Sequence, residues 1–259
     1  MQYNYKGTSV HYTDEGKGTT IVLLHGFLEN LTMWQAIKPS LLQRNRVVCI
    51  DLLGHGKTEC FGYVHSMELM ADVVTEVLKH LKVRRSILVG HSMGGYVALA
   101  FAEMYPDNVK GLCLLNSTTR ADSAERVSLR NRAIEAVKSN YDSLVRMSIS
   151  NLFRPKNRTL FKEEIKHVKK EALKTPLQGY IAAQEGMKIR MDREALLHFS
   201  PYPKMMIIGK KDPILNYHDL TDQVNGSSVE KIELPDGHMS HIENQQEVIS
   251  ALQKFVKRC

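Results

Sequence analysis

The stretch 86–100, SILVGHSMGGYVALA, decides the fold. It begins with SILV, an apolar run typical of a buried strand, and leads into the helical pattern GYVALAFAEMY of residues 95–105. Between them lies Gly90-His91-Ser92-Met93-Gly94, a G-x-S-x-G pattern in a strand-turn-helix setting. A serine in such a strained turn projects its hydroxyl above the sheet, and flanking glycines let the backbones cross closely. The stretch therefore predicts an α/β sheet that carries Ser92 as a candidate nucleophile.

Strand-like and helical runs alternate on both sides of this stretch, from Thr19 to Gly111. The runs are TTIVLLHG, MWQAIKPSLLQ, RVVCID, SMELMADVVTEVLKHL and SILVG. This alternation predicts βαβ units and a parallel sheet. The spacing predicts a helix over 66–81, with Ser66 as its cap. Before it, NYKGTSVHYTDEG predicts a hairpin of two edge strands around Gly7.

The alternation stops after the strand GLCLLN, and residues 119–199 contain no strand-like run. This segment predicts several amphipathic helices, broken near Asn140, Pro155 and Pro176. Strands and helices resume with KMMIIGKKD, HDLTDQV, SVEKIEL and a last helix with an apolar stripe. We therefore expect a mostly parallel central sheet flanked by helices, with a core domain of residues 1–118 and 200–259 and a helical insertion of residues 119–199.

The composition is that of an ordinary folded protein, with 259 residues, 43% of them apolar and 24% charged. These values exclude disordered chains and disulfide-stapled mini-proteins. The four cysteines, at positions 49, 60, 113 and 259, show no CxxC or zinc-like spacing and favour a reducing compartment. The first 18 residues lack a secretory pattern, and no segment approaches a membrane span. We expect a cytoplasmic protein without membrane or nucleic-acid partners.

The net charge of +7 comes from one segment. Residues 119–193 hold 17 Lys and Arg against 9 Asp and Glu. A solvated helical face explains this surplus, whereas a positive rim around a pocket would attract an anionic substrate, through Arg126, Arg130 and Arg132 if these face its entrance. The same segment carries apolar faces that include Met147, Ile149, Leu152 and Phe153.

The stretch DLLGHGKT ends like a nucleotide-binding loop. A Walker A loop requires glycine five residues before Gly56, where Asp51 stands, and no GxGxxG occurs. Nucleotide and dinucleotide binding are therefore poorly supported.

Five blocks of the chain resemble the α/β-hydrolase fold superfamily. They are LLHGFLEN, DLLGHGKTE, GHSMGGYVAL, IIGKKDPI and LPDGHMSHIENQQEV, in the order and at the separations typical of that superfamily. The triad order of this fold is met by Ser92, Asp212 and His238, each just after a predicted strand. The resemblance further implies backbone N–H groups of Phe27 and Met93 as the oxyanion hole, and a helical cap over the site at residues 119–199.

Several assignments around the triad stay open. His241 lies three residues after His238 and is an alternative base, and His238, His241 and Glu243 could bind a metal. Zinc needs three or four ligands, and no other His or Cys cluster completes such a site. Asp212 precedes Pro213 and could be only a turn residue.

Two nearby side chains have structural interpretations. The side chain of Met93 could simply fill the core, since only its backbone N–H is assigned to the oxyanion hole. We expect His25 to support the oxyanion loop without a catalytic role.

The leading hypothesis is a serine hydrolase that cleaves a small ester or lactone through an acyl-enzyme, without metal or organic cofactor. A lyase or carbon-carbon hydrolase with the same triad is the alternative. It is disfavoured by Tyr96 and His91, where such enzymes of the superfamily usually carry arginine and asparagine. Dehalogenases and epoxide hydrolases use aspartate in place of Ser92. A receptor without catalytic activity on the same scaffold is a third possibility.

Overall fold

The computed structural model describes residues 1–259 and contains one sheet of eight strands in the order β1-β2-β4-β3-β5-β6-β7-β8. The strands are β1 Gln2–Tyr5, β2 Thr8–Gly16, β3 Thr19–Leu24, β4 Asn45–Ile50, β5 Ser86–His91, β6 Val109–Leu115, β7 Lys204–Gly209 and β8 Glu230–Leu234. Strands β3 to β8 pair in parallel, and β2 runs antiparallel to both β1 and β4. The predicted mostly parallel sheet is confirmed.

The amino-terminal hairpin forms around Gly7 as predicted, but only one of its strands is an edge. Strand β1 pairs on one side with β2, whereas β2 also pairs with β4, from Tyr12 opposite Ile50 to Gly16 opposite Arg46. The prediction of two edge strands was wrong for β2, because this second pairing is made with a segment about 35 residues further along the chain.

Eleven α-helices surround the sheet. They are α1 Lys38–Leu42, α2 Met67–His80, α3 Met93–Met104, α4 Ala124–Ser139, α5 Tyr141–Leu152, α6 Lys162–Ala172, α7 Leu177–Lys188, α8 Ala195–Phe199, α9 Tyr217–Val224, α10 Ser240–Glu243 and α11 Gln245–Val256, with 3-10 turns at Leu31–Trp34, Pro106–Asn108 and Pro155–Asn157. Helix α2 matches the predicted helix, and the Ser66 hydroxyl caps it by accepting the Leu69 N–H at 3.1 Å. None of these helices is both long and apolar enough to cross a bilayer.

Both faces of the sheet are covered by helices. Side chains of β3 alternate, so that Ile21 and Leu23 pack toward α1 and α11, whereas Val22 and Leu24 pack toward α2 and α3. This two-sided burial explains why the parallel strands read as continuous apolar runs.

The segment between β6 and β7 contains α4 to α8 and no strand, and its helices break at the predicted places. A third apolar cluster joins its helices α4 to α7 to Leu28 and Met239 of the sheet-edge loops. Met147, expected on an apolar face of α5, is 54% exposed instead. The buried stripe of α5 is formed by Val145 and Ile149, and Met147 lies two residues, or 200°, from each of them.

Helix α7 packs tightly onto the carboxyl end of the sheet. A Cβ atom at Gly179 would lie 2.2 Å from the Gly54 carbonyl oxygen, and one at Gly186 would lie 1.8 Å from the His65 carbonyl oxygen. Only glycine permits such backbone contact. The two glycines therefore hold the helical segment directly over the loops where the candidate site lies.

Candidate active site

Ser92 stands between the last residue of β5 and the first residue of α3. Its backbone has φ 49° and ψ −115°, a conformation that L residues rarely adopt. A Cβ atom at Gly90 would lie 2.3 Å from the Gly94 carbonyl oxygen, and one at Gly94 would lie 2.3 Å from the Leu24 carbonyl oxygen. The two flanking glycines are therefore required by close backbone approach, and they allow the turn to present the serine hydroxyl.

The other two predicted triad residues lie in loops that follow β7 and β8. The Ser92 hydroxyl donates to His238 Nε2 at 2.9 Å, and His238 Nδ1–H donates to Asp212 Oδ2 at 2.7 Å. The side chains of His238 and Asp212 are at most 2% exposed. The structure thus brings together three residues that are separated by 120 and 26 positions in the chain, in one continuous hydrogen-bond chain.

The Asp212 carboxylate has two groups of partners. Its Oδ1 accepts the N–H groups of Ile214 and Leu215 at 2.8 and 3.0 Å, so the residue also shapes its own turn. Its Oδ2 accepts from His238 and, at 3.3 Å, from Asn116 Nδ2. Burial alone would raise the pKa of Asp212, but attraction to His238 and these hydrogen bonds lower it overall. Asp212 is therefore ionised and orients the imidazole.

Asn116 was missed by the sequence reasoning. It follows β6, has a φ of 44°, and donates to the Gly237 carbonyl oxygen at 3.1 Å as well as to Asp212. Its only signal in the sequence is its position directly after an apolar strand, at the sheet edge where ligand-binding loops gather.

The loop after β3 carries Phe27. The Phe27 N–H has no acceptor within the protein, and Met93 is the first residue of α3, where backbone N–H groups have no partner in the helix. The side chain of Met93 is fully buried in the main core, in line with its structural interpretation. His25 Nδ1–H donates to the Gly26 carbonyl oxygen at 2.8 Å, and its Nε2 accepts the Leu52 N–H at 2.9 Å. His25 therefore ties this loop to the loop after β4.

The alternative base and the alternative metal set are not assembled. His241 packs on the ring of His91, and its Nε2 lies 3.6 Å from Glu29 Oε1, whereas the Ser92 hydroxyl bonds to His238. Burial lowers the pKa of His241 to about 3, so it is neutral. Glu243 Oε1 instead accepts the Arg154 N–H at 3.0 Å.

One other buried cluster has residue types that bind metals. Potential ligand atoms of Glu29, His91 and His241 lie within 4.8 Å of one another. The Glu29 Oε2 and His91 Nδ1 atoms are only 2.6 Å apart, which is a hydrogen-bond distance between donor and acceptor. Both ring nitrogens of His91 have hydrogen-bond partners, so this cluster is organised as an ion pair.

A cavity of about 420 Å³ opens at Ser92 and His238. Its walls are mostly apolar, and they also carry two guanidinium groups and no carboxylate. Side chains that contribute include Phe27, Tyr96, Arg126, Leu129, Arg130, Leu152, Tyr180, Met187 and Ile214. A larger cavity of about 540 Å³ lies between α6 and the Leu31–Trp34 turn and contains none of the three triad residues.

The two arginines of the cavity share a single buried acid. Asp122 accepts hydrogen bonds from Arg130 and Arg190, and Arg126 lies 3.9 Å from it. One carboxylate therefore faces three guanidinium groups, which leaves this wall positive. Arg132 is exposed on α4 and does not line the cavity, because it lies off the face that carries Arg126 and Arg130.

The loop that resembles a nucleotide-binding motif is closed by Asp51. Its Oδ1 accepts the Leu31 N–H at 2.8 Å, and its Oδ2 accepts the Lys57 N–H at 3.0 Å. A Cβ atom at Gly56 would lie 2.3 Å from the carboxylate carbon. The backbone donors that a phosphate would need are thus engaged by the chain's own carboxylate.

Comparison with known proteins agrees with this architecture. A family model described as the alpha/beta hydrolase fold matches residues 19–245. A thermophilic esterase from Thermogutta terrifontis, solved with malate bound, is 29% identical, with a TM-score of 0.93, coverage of 99% of this chain and 97% of that chain.

Two curated relatives also match over most of this chain. A pimeloyl-[acyl-carrier protein] methyl ester esterase of Aliivibrio fischeri is 26% identical over 97% of this chain and 98% of its own length. The dihydrolipoyllysine-residue acetyltransferase component of an acetoin cleaving system of Pseudomonas putida is 27% identical over 93% of this chain. The chain spans 64% of the length of that last relative.

Proposed function

Because the chain belongs to the alpha/beta hydrolase fold family, we propose that it is a serine hydrolase that cleaves a small carboxylic ester or lactone through an acyl-enzyme. The observation that carries this proposal is the hydrogen-bond chain from Ser92 through His238 to Asp212, of which Ser92 and His238 line the 420 Å³ cavity. The similarity of this protein to esterases supports the same reaction class.

The first half-reaction forms the acyl-enzyme. His238 Nε2 takes the Ser92 hydroxyl proton as Oγ bonds to the carbonyl carbon of the substrate, and the carbonyl electron pair moves onto oxygen. Asp212 holds the imidazole in the required tautomer and stabilises its charged form. The tetrahedral intermediate then collapses, and the leaving alkoxide takes the proton from His238 Nε2.

The oxyanion of this intermediate needs preorganised donors. We assign the role to the backbone N–H groups of Phe27 and Met93, which belong to the loop after β3 and to the first turn of α3. One well-placed donor of this kind stabilises the transition state by about 3–4 kcal/mol.

In the second half-reaction, water attacks the acyl-enzyme with His238 as base, which releases the acid and restores the Ser92 hydroxyl. These steps require no metal ion or organic cofactor.

Residues 119–199 act in this scheme as a cap that shapes the acyl pocket. The side chains of Leu129, Leu152, Tyr180 and Met187 come from this segment and provide apolar walls. The positive wall formed by Arg126 and Arg130 favours a substrate that also carries a carboxylate or another anion. We therefore propose an anionic ester as the preferred substrate class.

The reaction class is tested with purified protein and short p-nitrophenyl esters. Wild type is expected to release p-nitrophenol and to be labelled at Ser92 by a fluorophosphonate, whereas Ser92→Ala is expected to lose about 10⁴- to 10⁶-fold in kcat and all labelling. Ser148→Ala, which removes another hydroxyl of the same cavity, is the matched control. Near-native turnover by the Ser92 variant would exclude the assigned nucleophile.

The substrate class is tested with two esters of similar size, one neutral and one bearing a carboxylate. Raising salt from about 0.01 to 0.5 M shortens the Debye length several-fold, so kcat/KM is expected to fall for the anionic ester and to change little for the neutral one. Exchanging both Arg126 and Arg130 for Gln is expected to remove this difference, while Arg132→Gln, outside the cavity, preserves it. Equal salt dependence for both esters in wild type would refute the anionic preference.

A further inference from the structure

A buried ion pair lies directly behind the triad. Glu29 Oε2 and His91 Nδ1 are 2.6 Å apart, and the side chains of Glu29 and His91 are only 3% and 1% exposed. The other ring nitrogen of His91 lies 3.0 Å from the carbonyl oxygen of His238. His91 thus contacts the backbone of the base and also lines the substrate cavity, whereas Glu29 lies behind it and does not line that cavity.

The hydrogen-bond partners define the protonation of His91. A carboxylate oxygen and a backbone carbonyl oxygen both accept, so both ring nitrogens must donate and the ring is an imidazolium. Burial opposes both charges, but their mutual attraction outweighs it, which raises the pKa of His91 and lowers that of Glu29. The other titratable groups near the pair are His25, His238, His241 and Asp212.

The same carboxylate oxygen also holds the oxyanion loop. Glu29 Oε2 accepts the Gly26 N–H at 2.8 Å, directly before Phe27 in the chain. A Cβ atom at Gly26 would lie 2.4 Å from that oxygen and 2.7 Å from His91 Nδ1, so the loop backbone is pressed against the pair. One oxygen therefore connects the oxyanion loop to the imidazolium.

We propose that Glu29 and His91 are positioning residues, whose buried ion pair ties the loop carrying Phe27 to the backbone carbonyl of His238. The pair fixes the distance between the oxyanion donor and the general base on the two sides of Ser92. This inference rests on the proposed serine-hydrolase function. It gives a role to a charged pair in the interior, where burial disfavours each ion until the two are paired.

The decisive variant is Glu29→Gln. An amide nitrogen at the Oε2 position cannot accept the Gly26 N–H. An amide oxygen there can accept it but carries no charge to hold His91 as an imidazolium, and a neutral His91 donates through one ring nitrogen only, so its bond to residue 29 or to the His238 carbonyl oxygen is lost. Misplacement of reacting groups by about 1 Å costs on the order of 10²-fold, so kcat is expected to fall about 100-fold while KM changes less than threefold.

The control is Asp14→Asn, which breaks a different ion pair, made by Arg46 through two hydrogen bonds of 2.7 Å at the far end of β2 and β4. It is expected to lower thermal stability and to leave kcat unchanged. Fluorophosphonate labelling of wild type separates the two hypotheses. If the fluorophosphonate labels wild type and Glu29→Gln keeps a kcat within twofold of the wild-type value, the positioning role alone is overturned. If wild type is not labelled, the serine-hydrolase proposal is overturned and this inference with it.

A measurement on wild type keeps the test decisive if the Gln variant does not fold. Long-range ¹H–¹⁵N NMR of the histidine rings distinguishes an imidazolium from either neutral tautomer. At pH 7.5 one buried histidine is expected to show both ring nitrogens protonated, assigned to His91 by its absence in His91→Asn. A neutral His91 at this pH would overturn the ion pair.

Discussion

Acidification from pH 7.5 to 5.5 is expected to destabilise the folded chain strongly, because burial lowers the pKa of four histidines, and it does so by a large amount for three of them. His55, His65 and His241 are at most 3% exposed. Burial lowers the pKa of His55 and His241 to about 3 and that of His65 to about 4. The unfolded chain, with an ordinary histidine pKa near 6.5, binds these protons much earlier.

The sign and size follow from proton linkage. A group whose pKa is lower in the folded state contributes stability above its unfolded pKa and loses it as the pH falls toward its folded pKa. Each histidine costs about 1.4 kcal/mol per pH unit between 6.5 and its folded value, so the three together cost about 4 kcal/mol at pH 5.5. His25, whose pKa is also lowered by burial, adds to this loss, whereas His91 offsets part of it, because its raised pKa keeps it protonated in the folded chain at pH 7.5 and the unfolded chain binds that proton only as the pH falls through about 6.5. Against a typical total of about 5–15 kcal/mol, this is a large fraction.

The assay is urea denaturation at pH 7.5, 6.5 and 5.5, followed by circular dichroism. His65→Gln removes one of the three groups, so its loss between pH 7.5 and 5.5 is expected to be about 3 kcal/mol instead of 4. His218→Gln changes an exposed histidine and is expected to leave the wild-type pH dependence intact. A wild-type loss below about 1 kcal/mol would refute the neutral burial of these rings.

Three further outcomes are expected. Asp212→Asn removes the charge that orients and stabilises His238, so kcat is expected to fall about 10⁴-fold in the ester assay with little change in thermal stability; a loss below tenfold would contradict the assignment. Gly94→Ala places a Cβ atom 2.3 Å from the Leu24 carbonyl oxygen, so both melting temperature and labelling of the serine are expected to drop, and an unchanged melting curve would contradict the close approach. Dialysis against EDTA is expected to leave ester turnover unchanged, and recovery of a lost activity on adding zinc would reject the metal-free scheme.

Much of the fold could be predicted from local sequence patterns. The strand-turn-helix around Ser92, the helix capped by Ser66 and the break points of the helical segment were all predicted, and the structure contains them. Periodicity, capping and turn chemistry act over a few residues, so they can be recognised without knowing the rest of the chain. The candidate triad was likewise selected by residue type, order and position after strands, and remains a prediction of function.

Contacts between distant segments were decided only by the tertiary structure. The second pairing of β2, the exposure of Met147 and the absence of Arg132 from the cavity depend on which neighbours the sheet and helices meet. No local pattern specifies such neighbours, because each depends on the relative placement of elements far apart in sequence.

The ion pair between Glu29 and His91 is the clearest case. The two residues are separated by 62 positions, and nothing in the sequence around either of them indicates that they form a pair. Parallel strands β3 and β5 are neighbours in the sheet, so the loop after one meets the turn after the other at the same edge. The sequence determined which side chains lie at this edge of the sheet. The packing of the sheet decided which of them form an ion pair behind Ser92.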